Sequence, residues 1–72
     1  MVKEIDARGL SCPQPVLITL KEMDSMGKGE LVVLVDNNTA KENVARAGAS
    51  KGWMVQQIQT EGNEYHLTII KG

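Results

Sequence analysis

The 72-residue chain is expected to form a two-layer α/β sandwich of the α+β class, with two helices on one face of a four-stranded mixed sheet. Three observations lead there. The hydrophobic period switches repeatedly, giving six short segments in the order βαβαββ. Gly, Pro and Asn clusters separate those segments. Right-handed crossovers then place both helices on the same side of the sheet and leave its other face partly open.

Val2 to Asp6 reads as the first strand. Ala7 to Ser11 forms a loop, in which Gly9 can take positive φ. Pro13 to about Met26 reads as a helix, with Val16, Leu17, Leu20 and Met23 on one face at three- and four-residue spacing. Gly27 and Gly29 end it. The apolar run Leu31 to Val35 is β-branched and bounded by breakers, as a central strand would be. Asp36-Asn37-Asn38 is a turn and cap region, and Thr39 with Glu42 matches a capping box. The second helix runs to about Lys51, with Ala40, Val44 and Ala47 inward and Gly52 just past its end. Trp53 to Glu61 is the third strand. Val55 and Ile58 are three apart, so strict alternation cannot bury both, and either a bulge or contact on both faces is expected. Gly62-Asn63 makes a two-residue hairpin turn. In the last strand, Glu64 to Lys71, Tyr65, Leu67 and Ile69 alternate with His66, Thr68 and Ile70.

The length allows one domain, over residues 1–72, and one core. There is little room for a deep internal active site, so chemistry should sit at the surface. A net charge of −1 gives no cationic field for nucleic acid or anionic lipid. Trp53 and Tyr65 are the only aromatics, too few for base-stacking platforms. Direct nucleic-acid binding is therefore not expected. No apolar stretch approaches a membrane span, and no charged segment followed by an apolar one opens the chain. A single cysteine excludes an internal disulfide and fits a reducing, cytoplasmic setting.

The informative segment is Asp6-Ala7-Arg8-Gly9-Leu10-Ser11-Cys12-Pro13-Gln14-Pro15. Pro13 suits the first helical position, which makes Cys12 the N-cap. Pro15 still lies in the first turn and breaks no helical hydrogen bond. A thiol at a helix N-terminus is favoured as thiolate, and its pKa is expected below the ~8.5 of a free cysteine. The prolines remove two amide donors, so extreme depression is not expected. Cysteine is a poor cap beside Ser or Asp, which favours a chemical role over a structural one. There is no second cysteine for a CxxC pair. His66, the only histidine, falls on the outward register of the last strand, so neither a Cys–His hydrolase nor a zinc site is expected. The expected metal and cofactor content is none. Met23, Met26 and Met54 read as fillers. Lys41, Arg46 and Lys51 read as a solvated helix face, or as a docking surface for an acidic partner.

Asp6, Gly9, Cys12, Pro13 and Pro15 together resemble the signature of the TusA/SirA/YedF family of small sulfur-carrier proteins, and the resemblance extends over essentially the whole chain. The Asp36-to-Trp53 stretch looks closer to the YedF-like branch, which often carries this domain at the start of a longer protein linked to selenium metabolism. The resemblance implies that Cys12 carries sulfane sulfur as a persulfide, taken from a donor such as a cysteine desulfurase and handed to a downstream acceptor protein. That would make the chain a sulfurtransferase-like carrier, not a turnover enzyme for a small substrate. Pro13 and Pro15 would shape the turn, while Asp6 and Gly9 would shape the loop. Arg8 would either steady the sulfur anion or pair with Asp6 or Asp36. Two other readings stay open: a protein- or RNA-binding regulatory module that uses the exposed sheet face, and a selenium-handling adaptor.

Overall fold

The computed structural model describes residues 2–10 and 14–72. Its elements are β1 (Val2–Asp6), α1 (Gln14–Met26), β2 (Gly29–Val35), α2 (Asn38–Ser50), β3 (Met54–Glu61) and β4 (Glu64–Lys71). This is the expected βαβαββ order. The sheet order is β1-β2-β4-β3. β1 and β2 are parallel, and β4 runs antiparallel to both β2 and β3. The second crossover therefore skips one position, which β4 fills on its return.

One side of the sheet carries the core. Val33 pairs with Leu67, and Leu31 pairs with Ile69. All four are fully buried, together with Val35 and Val44. Trp53 precedes β3 instead of opening it, and it is buried in the same cluster. The register of β3 slips between Val55 and Gln57. The extra residue, Gln56, sets Val55 opposite Ile69 and Ile58 opposite Leu67, so both lie on the helix side of the sheet, although Ile58 remains 42% exposed. A bulge was one of the two outcomes that the three-residue spacing anticipated.

Three local expectations are corrected. The inward stripe of α1 is Pro15, Thr19 and Met23, while Leu17 is 56% exposed. Thr19 can occupy the core because its hydroxyl donates to the Pro15 carbonyl at 2.7 Å. In α2 the third fully buried position is Gly48, not Ala47. A Cβ on Gly48 would stand 3.3 Å from Met23 Cε and 3.8 Å from Trp53 Cβ, so the missing side chain permits close helix packing. The cap of α2 is Asn37, whose Oδ1 accepts from Ala40 N at 2.7 Å. Asn is the stronger cap, and its hydrogen bond starts the helix ahead of Thr39. Gly27 and Gly52 end the two helices with φ of 76° and 83°.

Candidate functional site in the loop after the first strand

Ala7 extends the pairing of β1 by one bond, donating its N–H to the Leu34 carbonyl at 2.8 Å. The chain then leaves the sheet, and Asp6 folds it back. Asp6 Oδ1 accepts from Arg8 N at 3.1 Å and from Arg8 Nε at 2.8 Å, and Asp6 Oδ2 accepts from Arg8 Nη2 at 2.8 Å. Arg8 Nη1 reaches both oxygens of Glu64, at 3.1 and 3.2 Å. Asp6 ends β1 and Glu64 begins β4, with β2 between them. Two strand spacings are about 10 Å, so one guanidinium straps the end of the sheet. Leu34 lies between Asp6 and His66 in register and is only 8% exposed, although it is on the face without helices.

The forked geometry of the Arg8 pair holds the Asp6 carboxyl down at about 2, mainly through the side-chain hydrogen bonds and then through the Arg8 amide. Arg8 is correspondingly held protonated. Arg8 thus pairs with Asp6 and not with Asp36. Asp36 Oδ2 instead accepts from Gly9 N at 2.8 Å, and Asp36 Oδ1 accepts from Asn37 Nδ2 at 3.2 Å. Gly9 has φ of 78°, the positive value its position in the loop anticipated. A continuous set of bonds therefore ties the loop after β1 to the cap of α2.

Ser11, Cys12 and Pro13 lie outside the described residues, and with them the expected N-cap position of the thiol. The residues on either side are described. Leu10 before the segment and Pro15 and Val16 after it line a pocket of about 60 Å³, closed on the other side by Asn37, Thr39, Ala40 and Asn43. Asp6, Arg8 and Gly9 thus brace the chain before the segment that carries Cys12, and Pro15 lines the pocket just after it.

His66 takes the outward register that was expected. Its Nε2 is inaccessible, 3.9 Å from Glu64 Oε1, and makes no hydrogen bond among the described residues. No cluster of three His, Cys, Asp or Glu side chains among the described residues could hold a metal ion. No described helix is long and apolar enough to cross a membrane. Sequence reasoning missed Glu64 as the second anchor of Arg8. Only the strand order, which returns β4 beside β2, brings it to that end of the sheet.

These features define a small two-layer domain in which ion pairs brace the loop from the first strand to the first helix. The family model described as sulfurtransferase TusA matches residues 3–71, so the chain belongs to that family. The sulfur carrier protein TusA of Allochromatium vinosum is 32% identical to it over 96% of this chain and 92% of its own length. A protein of Methanocaldococcus jannaschii is also 32% identical, over 97% of this chain and 95% of its own length. The crystal structure of a SirA-like protein from Desulfitobacterium hafniense superposes with a TM-score of 0.87 at 30% identity, covering 100% of this chain and 99% of that one.

Proposed function

We propose that this chain is a sulfur carrier whose working state is a persulfide on Cys12. The observation that carries the reading is the braced loop: the only thiol follows a segment fixed at Asp6, Arg8 and Gly9 and precedes the first turn of α1. Full-length similarity to a protein named as a sulfur carrier supports it. In loading, the Cys12 thiolate attacks the terminal sulfur of a donor persulfide. The donor's S–S bond breaks, its cysteine leaves as thiolate, and the new S–S bond forms on Cys12. The sulfane sulfur keeps its oxidation state, so no oxidant is needed. Delivery repeats the exchange, with the acceptor as nucleophile and Cys12 as leaving group.

The supporting residues act on the loop. Among the described residues Arg8 pairs with Asp6 and Glu64, which supports a positional role for it in the loop that leads to the thiol. The N-terminal end of α1 favours the anion within about one turn. The donor is a protein such as a cysteine desulfurase, and a reducing cytoplasm is the setting the lone thiol fits. The test is the intact mass after incubation with a cysteine desulfurase and free cysteine. One added sulfur atom is expected, removed by reductant and absent from Cys12→Ser. An unchanged mass, with Cys12 still open to alkylation, would overturn the reading and leave selenide transfer to be measured in its place.

A further inference from the structure

Charge in this chain is segregated between its two sides. The face of the sheet without helices carries Glu4, Asp6, Glu30, Glu61 and Glu64, all placed there by register. Among the described residues, Arg8, strapped to its end, is the one cation set against them. The rest of the chain holds seven cations and four carboxylates. A net charge of −1 thus conceals an acidic face and a basic remainder.

The acidic face also carries apolar side chains. Val2, Ile70 and Met54 share a row with Glu30 at the end of the sheet away from Asp6, and Val32 lies in the next row beside Glu4. Met54 is 67% exposed, and Val2 is also largely exposed. Exposed apolar side chains interspersed with one sign of charge make a recognition surface more than a solvated one. Its sign selects the occupant. Nucleic acid would set phosphates against five carboxylates. A second copy docked face to face would oppose the same carboxylates across a two-fold axis. A protein surface with cations among apolar side chains complements it.

We propose that this sheet face docks the sulfur-donating protein through a basic surface on that partner that also carries apolar side chains. The inference rests on the carrier reading. The face ends at Asp6, Arg8 and Glu64, the anchors of the loop that leads on to Cys12, so a protein seated there covers the end of the sheet from which that loop departs. The donor must find its carrier among abundant small thiols, and long-range charge raises that encounter rate.

The test compares Glu4→Lys/Glu30→Lys on the face with Asp24→Lys/Glu42→Lys on the helices, which makes the same change in net charge. The readout is the rate of sulfur loading by a cysteine desulfurase against carrier concentration. The face variant should raise KM for the carrier by about tenfold or more with kcat nearly unchanged. The helix variant should stay within about twofold, and rising salt should raise the KM of the native chain. Equal KM in the native chain and a folded face variant would overturn the proposal. So would an equal loss in the two variants. Loading by inorganic polysulfide needs no docking and should be the same in all three chains. Failure of the native chain to load there would overturn the carrier reading itself, and the docking proposal with it.

Discussion

The two faces of the sheet use one backbone for opposite purposes. Toward the helices, Leu31, Val33, Leu67 and Ile69 are fully buried and form the core. On the other side, the residues between them set apolar side chains among carboxylates. Adjacent residues of one strand thus belong to different problems, stability on one face and recognition on the other. In a chain of this length a single covered face must supply nearly all the apolar burial.

The largest expected effect separates neighbours on β4. Leu67→Ala removes a fully buried side chain opposite Val33 and should cost about 2–5 kcal/mol. Thr68→Ala, one residue on and facing outward, should cost under about 1 kcal/mol. Urea unfolding measures both. Comparable losses would mean that the outer face also contributes to stability, and the division drawn here would fail.

Next in size is the loop where the two faces meet. Gly9 holds φ of 78° with open space where a Cβ would go, so strain and not collision opposes substitution. Gly9→Ala should lose about 1–2 kcal/mol and weaken the bond from Gly9 N to Asp36. Because that bond anchors the chain three residues before Cys12, the rate of Cys12 alkylation should change as well. Lost stability with unaltered alkylation would separate the loop from the thiol and confine Gly9 to a structural role.

Most of the fold was legible in the residues, because local patterns specify it. The period switches gave all six elements, and the Val55–Ile58 spacing pointed to a bulge or to contact on both faces, of which the structure shows the bulge, at Gln56. The errors fell where a single side-chain bond or a missing side chain decides. Thr19 displaced Leu17 from the core through its own hydroxyl bond, Gly48 replaced Ala47 where the helices close up, and Asn37 out-competed Thr39 as a cap. At the site, the positive φ at Gly9 could be read directly, while the expectations for Cys12 and Pro13 lie outside the described residues. The partners Glu64 and Asp36 could not, since each meets the loop across the sheet or from the next element. Their 56- and 27-residue separations have no local signature.

The smallest expected effect concerns the strap at the end of the sheet. Asp6 has its carboxyl held at about 2, against about 3.9 in an unfolded chain. The folded state therefore binds this proton less readily than the unfolded state does. The contribution of the pair is fully present above pH ~4 and is lost as pH falls from there toward 2. Both partners are substantially exposed, so salt screens the pair and its effect on stability is modest. Urea midpoints at pH 6, 4 and 2 should show the native chain ahead of Asp6→Asn at the first, with the gap closing by the last and shrinking in high salt. A gap independent of pH would mean that the Asp6 hydrogen bonds act through geometry alone. The strap would then be a packing device over Leu34, and its charges would matter for the acidic face and not for the stability of the loop.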